Sequence, residues 1–383
     1  MNNHKKESEE SARSVAVITF HSWINGNLNY GANLQAYALC KAIKQLGHPV
    51  ELIDYVPEII SSGSKLKDVY RRAFRTFISW KVPKDKRNGF RDFTRKYCFL
   101  SERKYRNLNE LNQNPPAADV YMSGSDQVWN TNIFHGALFP AFFLGFGPAS
   151  KKRVSYASSF GTHEPDLSLK SEIIDLLKQF SSIAVRENSG VDVIHNMLGD
   201  DTDVSAVLDP TFLLQDYEDV MEPMDTQGML LAYLFKPTEE DVECLRQTAD
   251  KLSLKPALIW DERMARFLGI ELVECHSPAQ WLGAIKNADA MVTNSFHGTV
   301  FSILFQHSFV SLLSNDKNVA NRNTRVLDLS AKLGVKKNVT ASRDLDSWLA
   351  ILKEPVSWTE VGQNLSNERE DSLAYLRSAI QKG

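Results

Sequence analysis

Short apolar runs alternate along the chain with longer stretches whose apolar residues recur every three or four positions. The first run, Val15 to Phe20, reads as a buried strand, and a polar loop follows it. A helical pattern then extends from Gly31 to Leu46 and ends at Gly47, and Val50 to Tyr55 reads as a second strand. This alternation predicts an α/β fold built from parallel sheets.

The same rhythm continues to the end of the chain. Further strands are predicted at 117–123, 153–160, 183–185, 204–208, 229–235, 257–260, 270–274, 290–293 and 309–313. Thr238 followed by Asp241, and Ser277 followed by Pro278 and Gln280, are typical helix starts. Helices are also predicted at 299–305 and at 368–381.

The alternation of predicted strands and helices is interrupted near residues 213–227 and then resumes. This interruption predicts two Rossmann-like domains facing a cleft. The predicted division is a disordered tail at 1–13, an N-terminal domain at 14–215 with a basic helical insertion at 58–110, a C-terminal domain at 228–356, and a helix at 357–383 that packs back on the N-terminal domain.

Composition and charge modify this picture in one region. The net charge is −3, but residues 65–106 hold 15 Lys and Arg against four acids, so this segment is +11 and the rest is −14. Aromatic residues three or four apart predict that the segment is helical. Three interpretations are open: a solvated face over a small core, a surface that docks on an anionic membrane or a lipid diphosphate, and a nucleic-acid surface, which is disfavoured because no recognised motif accompanies it.

Neither a secretory signal nor an apolar run of membrane length is present, so we expect a cytoplasmic protein. The spacings of Cys40, Cys98, Cys244 and Cys275 fit neither a disulfide framework nor a zinc site. Cys275 follows a strand and could face the cleft. No metal-binding spacing is recognised.

The strongest motif is Asn294-Ser295-Phe296-His297-Gly298-Thr299, between an apolar strand and an apolar helix. A helix start presents unpaired N–H groups and partial positive charge, which suits a phosphate or carboxylate. His297 adds a group able to donate or accept a proton. The alternative is a plain helix cap with a buried histidine.

Two more strand-end motifs contain mixed polar and aromatic groups. Gly124-Ser125-Asp126-Gln127-Val128-Trp129-Asn130 suits a hydroxyl-rich ligand such as a sugar, or Asp126 is only a helix cap. Asn29-Tyr30-Gly31-Ala32-Asn33-Leu34-Gln35 lies at the first strand-to-helix turn, where ligands commonly bind, or Asn29 is only a cap. It lacks the glycines of a dinucleotide fingerprint.

Single residues at strand ends are weaker signals. Arg186 ends a strand and could clamp a carboxylate or phosphate, or it pairs with Glu187. Arg325 precedes a helix. His21 and His163 follow strands, and each is more often structural than catalytic.

Taken in order, these motifs resemble the polysaccharide pyruvyl transferase family. The matching stretches are NYGANLQAYAL at 29–39, GSDQVWN at 124–130, SYASSFGT at 155–162, AVRENSG at 184–190, VLDPTFLL at 207–214 and NADAMVTNSFHGTVFSILF at 287–305. The resemblance implies a GT-B-like fold, phosphoenolpyruvate as donor substrate, no tightly bound cofactor, and a sugar or lipid-linked oligosaccharide as acceptor.

The resemblance also assigns roles. His297 would donate a proton or bind phosphate, and Asp126 would be the base for the acceptor hydroxyl. The implied donor-binding set is Arg186, Ser295, Phe296, His297, Gly298, Thr299 and Arg325. The implied acceptor-binding set is Asn29, Tyr30, Asn33, Gln127 and Trp129.

One position departs from the family pattern. Some members carry an arginine two residues before the histidine, where this chain has Ser295, and Arg325 or Arg322 would have to supply the missing charge. Two other functions stay open: a GT-B glycosyltransferase that uses a nucleotide sugar, and an inactive sugar-binding or scaffold protein.

Overall fold

The computed structural model describes residues 12–21, 28–57, 82–134, 139–162, 169–259, 270–314 and 323–381. In this part of the chain, five parallel strands form the N-terminal sheet in the order β3-β2-β1-β4-β5. They are β1 Val15–Ile18, β2 Val50–Tyr55, β3 Leu100–Tyr105, β4 Val120–Ser123 and β5 Lys152–Ser155. A parallel pair, β6 Ile183–Val185 and β7 Val204–Ala206, joins this sheet through bridges at Ser182 and Val185.

The C-terminal sheet contains six parallel strands in the described residues, in the order β10-β9-β8-β11-β12-β13. They are β8 Met229–Tyr233, β9 Lys255–Ile259, β10 Glu271–Val273, β11 Ala290–Thr293, β12 Ser308–Leu312 and β13 Val339–Thr340. Both sheets follow the Rossmann order 3-2-1-4-5, so the strand order reverses beside β1 and β4 and beside β8 and β11.

Helices cover the sheets. They are α1 Tyr30–Gln45, α2 Lys84–Tyr97, α3 Leu108–Gln113, α4 Lys170–Leu177, α5 Asn188–Leu198, α6 Glu239–Leu252, α7 Pro278–Asn287, α8 Phe296–Leu304, α9 Asn323–Leu333, α10 Leu345–Lys353 and α11 Trp358–Gln381. The central strands β1, β4, β8 and β11 are buried throughout, as expected for parallel strands that are covered on both faces.

The predicted helix starts are confirmed. Thr238 and Asp241 form a reciprocal capping box at α6, and the Ser277 side chain accepts from the Gln280 amide at α7. The helix predicted at 299–305 begins earlier in the structure, at Phe296. Helix α11 begins at Trp358, one residue from the start of the helix predicted at 357–383 and ten residues before the amphipathic pattern at 368–381.

The prediction that the basic segment is helical is only partly right. Helix α2 lies within it and buries Phe90 and Phe93, but Leu100–Tyr105 forms the edge strand β3. The charged residues of that strand conceal its alternation. Residues 65–81 lie outside the described residues.

The two domains are joined by close packing at the start of α1. Tyr30 stacks on Trp281 with ring centroids 5.5 Å apart, and its hydroxyl donates to the Cys275 carbonyl at 2.6 Å. Across the same boundary, the Asn188 amide donates to Asp328 at 3.0 Å. The domains therefore contact each other directly at the strand ends.

Helix α11 follows the C-terminal domain and reaches the N-terminal one. Tyr375 donates to the Ser155 carbonyl at 3.0 Å, and the Leu208 amide donates to the Ser372 hydroxyl at 3.0 Å. Within the described residues, no helix is long and apolar enough to cross a membrane.

Candidate functional site

The candidate site lies where loops from both sheets meet. Asp126 follows β4, Arg186 follows β6, Asp209 follows β7, and His297 begins the helix after β11. The carboxyl ends of parallel strands share one edge of a sheet, and the strand order reverses here, so this position is the expected ligand site of a doubly wound fold.

A buried carboxylate, Asp209, lies at the centre of the site. Its Oδ2 accepts from Arg186 Nη1 at 2.9 Å and from the Ser125 hydroxyl at 3.2 Å, and it lies 3.6 Å from His297 Nε2. Its Oδ1 accepts from the Thr211 amide and hydroxyl. Burial alone would raise the pKa of Asp209, but the neighbouring His297 and Arg186 outweigh burial and hold that pKa well below its usual range.

Arg186 is enclosed by acids, and its side chain is only 2% exposed. Besides Asp209, it lies 3.6 Å from Glu187 Oε2 and 3.8 Å from Asp126 Oδ1. Burial opposes the guanidinium charge, but Asp209 and then Glu187 and Asp126 offset burial and raise the pKa of Arg186. Arg186 therefore stays charged beneath the site.

His297 packs directly on the first turn of α1. A Cβ added to Gly31 would lie 2.1 Å from His297 Nδ1, so only glycine lets the backbone of α1 approach the imidazole this closely. Nε2 faces Asp209 on the other side of the ring. Two contacts from the N-terminal domain thus fix a ring that belongs to the C-terminal domain.

The start of α8 is capped by its own residues. The Ser295 side chain accepts from the Gly298 amide at 3.4 Å, and the Thr299 amide donates to the Ser295 carbonyl at 3.0 Å. Of the predicted donor-binding residues, Gly298 and Thr299 therefore already have their amides bonded within the helix start. The amides of Phe296 and His297 precede the first intrahelical bond.

Phe296 brings two arginines to the helix start. The Arg186 guanidinium lies 4.5 Å from the centre of its ring and the Arg325 guanidinium 5.6 Å. Arg325 therefore places a second positive charge beside the aromatic ring at the start of α8. Arg322 lies outside the described residues.

Asp126 occupies the left-handed region with φ of 71°, which is uncommon for residues other than glycine. Its Oδ1 accepts from the Gln127 amide at 2.8 Å. The side chain is buried beside Arg186, so the predicted base belongs to the same cluster as His297 and Asp209.

Three of the predicted acceptor residues are buried in packing. Tyr30 lies between the domains, Asn33 donates to the His21 carbonyl and the Thr94 hydroxyl, and Trp129 donates to the Phe142 carbonyl. Trp129 is 1% exposed. In this structure these side chains face protein atoms and not an open cleft.

The other predicted residues are also accounted for. Asn29 caps α1 by accepting from the Ala32 amide, which is the alternative left open by the sequence. Gln127 is half-buried and accepts from Asn130. His21 is buried, and His163 lies outside the described residues. Cys275 is 2% exposed and burial raises its pKa to about 12, so it is not the cleft-facing thiol that its position suggested.

The sequence analysis missed the roles of Asp209, Glu187 and Ser159. Ser159 donates to Glu187, which in turn faces Arg186. A signal existed for Asp209, because an aspartate directly after an apolar strand is a strand-end acid like Asp126. The strand predicted at 204–208 ends one residue before Asp209.

Comparisons with solved structures support the fold. A UDP-N-acetylglucosamine 2-epimerase matches with a TM-score of 0.52 and 11% identity, over 96% of this chain and 95% of that one. The S. aureus MnaA structure with UDP has a TM-score of 0.51 and 10% identity, over 92% and 90%. LpCGTa in complex with UDP has a TM-score of 0.51 and 9% identity, over 97% and 100%.

At these identities the likeness shows the fold alone, which is the two-domain Rossmann-like GT-B fold. No curated protein sequence matches the chain. The family model described as polysaccharide pyruvyl transferase matches residues 29–317, about three quarters of the chain. The chain therefore belongs to the polysaccharide pyruvyl transferase family, as its ordered motifs predicted.

Proposed function

We propose that the protein transfers the enolpyruvyl unit of phosphoenolpyruvate to two hydroxyls of a sugar and so forms a pyruvate ketal. One observation carries the proposal. Arg186 Nε and Nη2 and His297 Nε2 are buried, and among the described residues none makes a hydrogen bond. Their nearest carboxylates, on Glu187, Asp126 and Asp209, lie 3.6, 3.8 and 3.6 Å away, beyond hydrogen-bond distance. Buried donors are nearly always bonded, so this group of donors favours an anionic ligand.

Phosphoenolpyruvate carries the phosphate and the carboxylate that such donors bind. Arg186 offers two parallel N–H groups of the kind that hold a carboxylate or phosphate. Arg325, beside Phe296, adds the positive charge that Ser295 lacks. The donor-binding set in the proposal is therefore Arg186, His297 and Arg325, with the amides of Phe296 and His297.

The chemistry assigns one proton donor and one base. His297 protonates the methylene carbon of phosphoenolpyruvate, and the adjacent carbon becomes electrophilic. One sugar hydroxyl adds to that carbon and loses its proton to Asp126. The second hydroxyl then displaces phosphate, which takes up that hydroxyl's proton, and exchange with solvent returns Asp126 and His297 to their starting forms. The reaction is balanced as donor plus diol giving ketal plus inorganic phosphate.

Calorimetric titration of the full chain with phosphoenolpyruvate tests the donor, with UDP for comparison and His297→Ala as the variant. The proposal predicts saturable binding of phosphoenolpyruvate that the variant loses. Binding of UDP without binding of phosphoenolpyruvate would instead support a nucleotide-sugar glycosyltransferase. Binding of acceptor sugars alone, with no turnover, would support an inactive scaffold.

A second proposal concerns the location of the acceptor. Lys84, Arg91 and Arg95 of α2 are exposed and recur on one helical face. This face, within a segment of charge +11, suits an anionic membrane surface that carries a lipid-linked oligosaccharide. Cosedimentation with vesicles that contain anionic lipid should fall when all three are changed to Gln. The matched control changes the exposed Lys251, Lys336 and Lys353 to Gln, and equal losses in both proteins would reject the proposal.

A further inference from the structure

Asp209 links charged groups that come from different domains. From the N-terminal domain its Oδ2 receives Arg186 Nη1 at 2.9 Å, and from the C-terminal domain it faces His297 Nε2 at 3.6 Å. Its side chain has no exposed surface. One carboxylate oxygen is thus shared between the two residues that are proposed to bind the donor.

Hydrogen bonds to both oxygens hold the Asp209 carboxylate in one orientation. Oδ1 accepts from both the amide and the hydroxyl of Thr211, and Ser125 donates to Oδ2. Asp209 is also fixed in the chain, because it caps the short 3-10 helix that begins at Pro210. A carboxylate held this firmly cannot serve as a mobile base.

We propose that Asp209 is a positioning residue that fixes His297 Nε2 beside Arg186 and supplies the negative charge that opposes Arg186 at the ring. In Asp209→Asn, the positive charge of Arg186 would no longer be opposed beside the imidazole. The use of a His297 proton in catalysis rests on the proposed function. The charge relation between Asp209 and His297 does not.

Other charged groups surround this pair. Asp126 and Glu187 flank Arg186, and Arg325 lies at the ring of Phe296. Among the described residues, Asp209 is the acid that pairs with the His297 imidazole, at 3.6 Å. A change at Asp209 should therefore affect His297 more strongly than a change at any other carboxylate.

The test follows the His297 ring by NMR in protein labelled at histidine Cε1. The chain has nine histidines, and the signal that is absent in His297→Gln identifies His297. In Asp209→Asn the pH at which this signal titrates should fall by at least about one unit, because an adjacent opposite charge is lost. An unchanged midpoint would overturn the proposal.

Asp219→Asn is the matched control. It removes a carboxylate that binds Tyr37 and is half exposed, and it should leave the His297 midpoint unchanged. Should Asp209→Asn fail to fold, the double variant Ser125→Ala/Thr211→Val replaces it. This variant removes the two hydroxyls that donate to the Asp209 carboxylate and keeps the charge of the carboxylate. The midpoint pH of the His297 signal should therefore rise by about 0.3 unit or more. No rise would overturn the proposal.

Titration with phosphoenolpyruvate from pH 6 to 8.5 separates this proposal from the proposed function. In Asp209→Asn, binding should persist at pH 6 and weaken at a lower pH than in the unmodified protein. A merely structural role would instead weaken binding equally at every pH. Absence of binding in both proteins, with the NMR shift present, would reject the donor but support the positioning role. Binding of phosphoenolpyruvate without the NMR shift would support the donor and reject the positioning role.

Discussion

The residues assigned to the donor converge in the structure, whereas most of those assigned to the acceptor disperse into packing. Arg186 and His297 both lie beside the Asp209 carboxylate, and the candidate base Asp126 lies beside Arg186. Tyr30 and Trp129 instead fill the domain interface and the N-terminal core. Both sets were taken from strand-end motifs of similar appearance.

The difference follows from the cost of burial. A charged side chain is buried only with partners, so several of them at strand ends in one cleft indicate a common site. An aromatic or amide side chain stabilises the fold when it packs in the interior at any place where a hydrogen-bond partner is near. Charged strand-end residues are thus the better guide to function in this fold.

The largest expected effect concerns Trp129. If it is a packing residue, Trp129→Ala should lower the free energy of unfolding by about 3–5 kcal/mol, because it empties a site that is 1% exposed. Urea unfolding measures this loss, with the half-buried Trp358→Ala as control. A stable variant that has lost only sugar binding would return Trp129 to the acceptor set.

Gly31→Ala tests the convergence of the donor set. The added Cβ would meet His297 Nδ1 and displace the ring, so the affinity for phosphoenolpyruvate should fall about 100-fold, which corresponds to about 2.7 kcal/mol. Gly362→Ala, at a helical glycine with open space around it, is the control. Equal affinities in the two variants, measured by calorimetry, would show that the ring position does not matter.

His307, at the other end of α8, should behave as a packing histidine. Burial lowers its pKa from 6.5 to about 4. The unfolded chain therefore binds a proton that the folded chain does not, and stability should fall as the pH drops from 6.5 towards 4. We expect a loss of about 2 kcal/mol between pH 7 and pH 5. His307→Phe should remove this part of the pH dependence in urea unfolding, and an identical pH profile would contradict the assignment.

The smallest effect is expected at Tyr30. Tyr30→Phe removes the bond to the Cys275 carbonyl and keeps the stack on Trp281, so it should cost about 1 kcal/mol of stability. Thermal unfolding measures the loss. Unchanged stability together with weaker binding of an acceptor sugar would place Tyr30 in the site after all.

Much of the fold could be predicted because its signals are local. The central strands are continuous apolar runs. Thr238 and Ser277 mark helix starts because their side chains accept hydrogen bonds from backbone amides three residues later. Strand β3 could not be predicted this way. Its sequence, Leu-Ser-Glu-Arg-Lys-Tyr, suits an exposed edge, where charges prevent pairing with other chains.

The site was harder to predict because its key relations are not local. Arg186 and His297 could be selected for their chemistry, but their common partner Asp209 is separated from each by 23 and 88 residues. Nothing near Gly31 in the sequence shows that its missing side chain makes room for His297. Such relations arise only when the domains pack.

Helix α11 also determines when the first domain can be completed. Leu376 and Ile380 belong to the same apolar core as Val15 and Val17, and Arg13 donates to the Ile380 carbonyl. A chain growing on the ribosome therefore makes the first strand of this core well before the helix that completes it. The N-terminal domain must wait for α11, so two segments far apart in the chain belong to one folding unit.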